Sequence, residues 1–306
     1  MPGARHVFDK RLDAASYDSD AATYGRYIEL LSRPLAVRIC ELARVEPGQS
    51  VLDIGTGTGV AARQAARIVG PRGSVTGIDL SEGMIEVARK SPMADSCHPL
   101  DFQVMDAEAL KFPDANFDAV ISLCAVRHFP DITVSLREMR RVLKPGGRLV
   151  VSFGFPRPIV IGSLALHFVR RLLNLSTNFI RPTIIGPGLL TIRAKGLLPS
   201  PKETTATEWG ANNPRETLVR LVREAGFDQV NQSWCGHEIL FDSADDFWHA
   251  QTSIVTEVRK RIASASPGAV SRLKGEFVTM ADRVLRRGGK LIYPYGAFFV
   301  DARAPR

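Results

Sequence analysis

Three glycines at alternate positions, Gly55, Gly57 and Gly59, follow directly on the apolar run Val51-Leu52-Asp53-Ile54. Glycines between a strand and a helix let the backbone turn tightly and let a ligand approach where a Cβ would collide. They also leave the amides at the helix start open to polar ligand atoms. Asp53 lies two residues ahead of the first glycine, and Asp79 comes twenty residues after the last. A carboxylate at the end of the following strand can accept hydrogen bonds from both hydroxyls of a ribose. Asp106, followed by Ala107, is a third acid at a strand end. An acid there can bond the exocyclic amine of adenine, and the same residue type also serves as an ordinary turn former.

The elements that must carry these residues read as strands and helices in alternation, which points to βαβ units and a parallel sheet. Ser50–Ile54 is expected as a strand, Val60–Val69 as a helix, and Ser74–Leu80 as a second strand. Ser81 is expected to cap a helix that buries Met84, Ile85 and Ala88. Phe102–Asp106 and Phe117–Leu123 are the expected third and fourth strands. Ile132, Leu136, Met139 and Leu143 recur at helical spacing, and Lys144-Pro145-Gly146-Gly147 is expected to stop that helix before a fifth strand, Arg148–Phe153. These strands place the glycine turn, Asp79 and Asp106 along one edge of the sheet, where ligands bind in open α/β folds.

The segments VLDIGTGTG, TGIDLSEGMIEVAR, VMDAEALKFPDANFDAVIS, RHFPD and LREMRRVLKPGGRLVVS follow one another in order over about residues 50–153. In these the chain resembles a class I S-adenosylmethionine-dependent methyltransferase of the broad group that includes the ubiquinone/menaquinone C-methyltransferases. AGFDQV and AFFVDAR fit that family's ending. The resemblance implies a Rossmann-like α/β sheet of seven strands, the last antiparallel, and S-adenosylmethionine as cofactor. It places Gly55, Gly57 and Gly59 at the methionine end, Asp79 at the ribose, Met84 beside the adenine, and Asp106-Ala107 at the adenine amine. Asp53, Thr56, Leu80 and Cys124, beside these residues or after the fourth strand, complete the expected cofactor set. His128 stands where the family often places a histidine near the methyl group. It is the candidate base, with packing against the cofactor or capping of the next helix as the other reading. His237 and His249 read as strand-lining or surface residues, and His6, His98 and His167 have no supporting context. Tyr24 and Tyr27 either close over the cofactor or pack as part of an amphipathic helix.

The chain has 306 residues, 45% hydrophobic and 24% charged, which excludes disorder or a fibrous repeat as the main state. Cys40, Cys97, Cys124 and Cys235 lie far apart with no CxxC pair, which argues against a disulfide scaffold or zinc site and suits a reducing compartment. The start MPGARHVFDKRLD is not a secretory signal, and no apolar stretch reaches the ~18 residues of a membrane span, so a cytoplasmic protein is expected. Residues 1–153 hold 19 Lys/Arg and 19 Asp/Glu, whereas residues 154–306 hold 21 against 13 and carry the whole surplus of +8. Such a half can meet nucleic acid, an anionic membrane or an anionic substrate, or it can be a solvated helix surface rich in arginine.

Four segments are expected: a helical 1–48, a cofactor-binding core at 49–153, an inserted cap at 154–216, and a completion of the sheet with a helical insertion at 217–306. In the cap, Ser163–Leu175 reads as an amphipathic helix flanked by Arg170 and Arg171, compatible with weak contact at a membrane surface. Leu218–Glu224 is expected as a helix ended by Gly226, Gln229–Phe241 and Ala297–Arg303 as strands, and Ser243–Arg287 as two helices joined near Ser266-Pro267-Gly268. The expected function is methyl transfer to an oxygen or carbon of a small lipophilic or aromatic metabolite. A dinucleotide dehydrogenase fits worse, because GxGxxA in the register Gly57-Gly59-Ala62 leaves Asp53 without a role. Methylation of RNA or DNA is disfavoured. The position after the fourth strand reads Ser122-Leu123-Cys124-Ala125 and lacks the Pro-Pro turn that holds a flipped base, and basic residues do not interleave with aromatics. A cofactor-binding partner subunit without catalysis is the reading from another class.

Overall fold

The computed structural model describes residues 9–18, 20–91, 100–154, 184–200 and 213–306. In chain order the helices and strands are α1 (Lys10–Asp18), α2 (Ala21–Leu42), β1 (Ser50–Ile54), α3 (Val60–Val69), β2 (Ser74–Asp79), α4 (Glu82–Lys90), β3 (Leu100–Val104), β4 (Phe117–Ser122), α5 (Ile132–Val142) and β5 (Leu143–Gly154). They continue as β6 (Ile184–Ile185), α6 (Pro187–Leu197), α7 (Pro214–Glu224), β7 (Asp228–Phe241), α8 (Ala244–Ile254), α9 (Thr256–Ala263), α10 (Pro267–Leu285) and β8 (Lys290–Arg303). The expected cap helix Ser163–Leu175, with His167, and residues His6, Cys97 and His98 lie outside the described residues. No helix among the described residues is long and apolar enough to cross a membrane.

The chain divides into two compact units. The first holds residues 1–154, 202–235 and 297–306, the second residues 155–201 and 236–296. In the first unit the strand order is β3-β2-β1-β4-β5-β8, all parallel except β8, which runs antiparallel to β5 from Arg148↔Arg303 to Gly154↔Ala297. β7 also pairs with β8. The seven-strand Rossmann-like series is as expected; within the second unit the two-residue β6 pairs with the start of β8 at Ile184↔Lys290. Central β1 buries Val51, Leu52 and Ile54 completely, as a strand covered by helices on both faces must. On α2 Ile28, Leu31, Leu35 and Ile39 recur at helix spacing and are buried.

Several expected boundaries are corrected: β5 begins at Leu143 rather than Arg148, and β8 at Lys290 rather than Ala297. α5 stops at Val142 rather than at Lys144-Pro145-Gly146-Gly147, because Leu143 is already extended and pairs with Phe117. The carbonyls of Arg141 and Val142 accept from the amides of Ala115 and Asn116 in place of helix donors. β3 covers Leu100–Val104 rather than Phe102–Asp106, so Asp106 sits in the turn beyond the strand, where its carboxylate accepts from the Glu108 amide at 3.0 Å.

In the second unit α6 packs on α9 and α10, and Phe247 stacks on Phe277 at 6.0 Å, with Trp248 and Phe241 against the same pair. Residues Ser243–Arg287 form three helices where two are expected. Val255, at φ −78° and ψ 100°, breaks the first helix without a glycine or proline to mark it. This unit carries 15 Lys/Arg against 7 Asp/Glu, which is the whole net charge of +8, while the first unit balances at 25 and 25.

Gly77 sits mid-strand in β2, where glycine ordinarily weakens a sheet. A Cβ there would lie 2.7 Å from the Phe102 ring and 2.8 Å from the Thr56 hydroxyl. Gly77→Ala is therefore expected to destabilise the fold by about 1–3 kcal/mol, the usual cost of overpacking, read from urea unfolding. A variant as stable as the parent would show that Phe102 moves aside freely.

Candidate functional site

The parallel strands β1, β2 and β4 bring their carboxyl ends to one edge of the sheet. There the chain between β1 and α3 turns through Gly55, Gly57 and Gly59, all at positive φ (67°, 54° and 86°). The three glycines have different reasons to be glycine. A Cβ on Gly55 would fall 2.3 Å from the Cβ of Ala125, and one on Gly59 would fall 2.6 Å from the Phe102 ring. These two let the loop press against β3 and the segment after β4. At Gly57 a Cβ would meet nothing within 4 Å. Its bare side faces open space, as a cradle for a ligand requires.

Asp79, the last residue of β2, crosses to this loop. Its carboxylate accepts from the Gly57 amide at 2.8 Å and from the Ser81 amide at 3.0 Å. Burial pushes its carboxyl above the usual carboxylate range, opposed by those two amides and by nearby His128. Leu80 follows, half-buried, and Ser81 caps α4 by accepting from the Met84 amide at 3.1 Å. Met84, Ile85 and Ala88 are buried, as expected from the sequence. The Met105 amide donates to the Asp79 carbonyl at 3.0 Å, which ties the turn carrying Asp106 to the end of β2. Ala107 beside it is buried.

Asp106 is bonded within the chain. The Lys10 ammonium, from α1, lies 2.7 Å from its carboxylate and also pairs with Glu108. Asp53 is buried under the loop, and the Thr56 hydroxyl donates to it at 2.7 Å. Burial pushes its carboxyl up to about 7, against the opposing effect of the Thr56 hydrogen bond. The Thr58 hydroxyl is buried and has no hydrogen-bond partner among the described residues. Cys124 lies after β4 at φ 59°, its amide donating to the Ser152 hydroxyl at 3.0 Å.

His128 stands in a single 3₁₀ turn, Val126–His128, beyond Cys124. Its Nδ1 is 2.7 Å from the Asp13 carboxylate, and Tyr17 meets its ring edge-on at 5.8 Å. Tyr17 in turn touches Tyr24 at 5.7 Å, whereas Tyr27 is buried with the Arg26 guanidinium 5.6 Å from its ring centroid. In the second unit, His237 faces Tyr295 at 6.3 Å and burial lowers its pKa, while His249 lies on α8 beside Lys274 and Asp245.

The candidates Asp53, Gly55, Thr56, Gly57, Gly59, Asp79, Leu80, Met84, Asp106, Ala107, Cys124 and His128 all lie on the first unit, and direct hydrogen bonds join Asp79 to Gly57 and Asp53 to Thr56. Sequence reasoning missed the groups that α1 and α2 contribute. Lys10 meets Asp106 and Asp13 meets His128, while Asp18 accepts from the Ser81 hydroxyl and the Gly83 amide. From α2, Glu29 pairs with buried Arg63 at 2.8 Å, and Arg63 donates to the Thr58 carbonyl at 2.7 Å. No local pattern announces these partners, because each pair is distant in the chain.

The family model described as "Methyltransferase domain" matches residues 52–151. The chain is 30% identical over 232 residues to the ubiquinone/menaquinone biosynthesis C-methyltransferase UbiE of Shewanella frigidimarina, covering 73% of this chain and 86% of that protein. It is 35% identical over 143 residues to the aklanonic acid methyltransferase DauC of Streptomyces sp. strain C5, covering 47% and 65%. Most of the curated relatives that come first are likewise spanned over less than two thirds of their length. Among solved structures, the YcgJ protein of Bacillus subtilis superposes with a TM-score of 0.51 at 18% identity, over 90% of this chain and 98% of that one. This likeness is one of fold.

Two variants separate the roles of the glycines. Gly57→Ala is expected to cost only the ~1–2 kcal/mol of a left-handed side chain while removing most cofactor affinity, because its Cβ enters the open cradle. Gly55→Ala is expected to unfold the loop against Ala125. Equal stability losses in thermal denaturation would contradict this division.

Asp53 gives a pH signature. An unfolded Asp loses its proton near pH 4, but the native one holds it to about 7, so this residue lowers stability progressively as pH rises between those values. Asp53→Asn is expected to leave stability near pH 4 unchanged and to raise it by roughly 2–4 kcal/mol near pH 8. Urea unfolding at the two pH values checks it, and an equal change at both would refute the assignment.

Proposed function

Because the chain belongs to the class I S-adenosylmethionine-dependent methyltransferases, in the group of the ubiquinone/menaquinone C-methyltransferases, we propose that it transfers a methyl group to an oxygen or carbon of a small aromatic or quinone-type metabolite. The observation that carries this reading is the cradle itself. The bare side of Gly57 opens to space, and the Asp79 carboxylate lies 2.8 Å from the same residue's amide. Asp106 stands in the turn beyond the neighbouring strand β3. An anionic group at the end of β2 suits a ribose diol, and one beyond β3 suits the adenine amine.

S-adenosylmethionine, when bound, supplies an electrophilic methyl carbon on a sulfonium. The residues of this chain supply position and charge. Asp79 would hold the ribose, Asp106 and Ala107 the adenine edge, and Met84 would lie beside the base. The glycine loop, with Asp53 and Thr56 beneath it, receives the methionine end, where an ammonium would favour the ionised form of Asp53. Holding acceptor and methyl carbon in line turns a bimolecular encounter into a positioned one, and this approximation accounts for much of the acceleration. His128 takes the acceptor's proton where the nucleophile is a hydroxyl or an acidic carbon. The matched relatives are named for ubiquinone, menaquinone and aklanonic acid, which supports a flat, lipophilic acceptor. The leucine-rich sequence at 154–200, with Arg170 and Arg171, suits such an acceptor and weak contact with a membrane surface.

Incubation with methyl-labelled S-adenosylmethionine and a panel of aklanonic acid, reduced demethylmenaquinone and 1-naphthol is expected to give a methylated product by mass spectrometry. Tight cofactor binding without turnover of the panel or of extracted metabolites would instead favour a binding subunit. Asp79→Ala is expected to weaken the cofactor by about 1.5–3 kcal/mol in calorimetry, the worth of hydrogen bonds to a charged group. His128→Ala is expected to lower kcat far more than cofactor affinity, and equal losses in both would make it a binding residue.

A further inference from the structure

Asp13 and His128 are 115 positions apart, yet they meet at 2.7 Å through Oδ2 and Nδ1. Asp13 is 3% exposed and is the one buried side chain of α1. A carboxylate is expensive to bury unless a partner holds it, so its place here needs a reason. A carboxylate accepts, so the imidazole donates from Nδ1, and the basic lone pair is thereby fixed on Nε2. Tyr17, one helical turn after Asp13, sets its ring edge against the same imidazole at 80°. One face of α1 therefore fixes both the tautomer and the tilt of His128.

Other charged groups near the ring are consistent with a proton acceptor at the cofactor edge. Asp79 of β2 lies within electrostatic reach of His128, while the adjacent Arg127 has its guanidinium 5.9 Å from the Phe153 ring centroid. The His128 side chain keeps 29% of its surface, enough for an acceptor to reach it.

We propose that Asp13 is the positioning residue of the proton-transfer step and acts through His128, an inference that rests on the methyl-transfer reading above. In that step the acceptor O–H bond breaks and its proton moves to Nε2. The electron pair left on oxygen forms the bond to the methyl carbon, and the pair of the broken carbon–sulfur bond stays on sulfur. The imidazolium, its charge facing Asp13, then returns its proton to water. Asp13 stabilises the charged state and keeps Nε2 free of hydrogen beforehand, as the orienting acid does in other histidine dyads and triads.

The test begins with the unaltered protein, ¹⁵N-labelled at histidine, with His128 assigned by its loss in His128→Gln. The expected neutral tautomer has its proton on Nδ1, and a proton on Nε2 overturns the proposal. Asp13→Asn preserves an acceptor for Nδ1–H but removes the charge. It is expected to move the His128 titration, and with it the acid limb of kcat/KM, about one unit to lower pH. It should also reduce kcat about 10- to 100-fold with whichever panel acceptor is turned over, with cofactor Kd within about twofold. Asp13→Glu is expected to restore part of kcat. A variant that loses only thermal stability, with titration and pH profile unmoved, makes the contact a structural clamp and overturns the proposal. Should Asp13→Asn fail to fold, the tautomer in the native protein still decides. If His128→Gln turns over at the parental rate, the base role falls while methyl transfer stands. If the parent turns over nothing, the methyl-transfer reading falls, and with it this step.

Discussion

The hydrogen bond from the Gly57 amide to the Asp79 carboxylate joins the two pieces of chain on which the site depends. One piece is a loop that has no side chain to spare, and the other is the end of a strand. The loop keeps its place because Gly55 lies against Ala125 and Gly59 against Phe102, with no room for a methyl group in either gap. The strand end keeps its place because Gly77 lets Phe102 in and because the Met105 amide binds the Asp79 carbonyl. Phe102 is thus a common wall behind both. Tight packing on one side of the loop leaves the other side open, and that asymmetry makes a receptor from a turn.

The carboxylates around this loop stand in different environments. Asp53 is sealed beneath it and poised near neutrality, Asp79 is raised but held by amides, and Asp106 is paired with a lysine. Their differences follow from burial and partners alone, since the side-chain chemistry is the same. A ligand that brings an ammonium, a diol and an amine would meet each with a different electrostatic demand.

Much of the first unit was legible in the sequence because its signals are local. Ser50–Ile54 and Val60–Val69 have the expected boundaries, and Ser81 caps α4 through its own side chain. Local signals failed where a neighbouring strand overrides them. Leu143 continues the helical spacing of Ile132, Leu136 and Met139 but pairs with Phe117 instead, and Asp106 turns where a strand was expected to run on. At Val255 the helix breaks with no punctuation in the sequence. The partners Lys10, Asp13, Asp18 and Glu29 were invisible for a different reason. Each is an ordinary charged residue of a helix, and only the fold brings it to Asp106, His128, Ser81 or Arg63.

Helix α1 buries a single side chain, and that one is a carboxylate. Its attachments to the rest of the first unit include Lys10, Asp13 and Asp18, with Tyr17 set edge-on against the rings of His128 and Tyr24. Detaching such a segment uncovers little oily area, so the event carries almost no heat-capacity increment and a small denaturant slope. Salt would weaken the half-exposed Lys10 anchor and leave the buried carboxylate of Asp13 nearly untouched, so the helix is held at two points by forces of unequal reach.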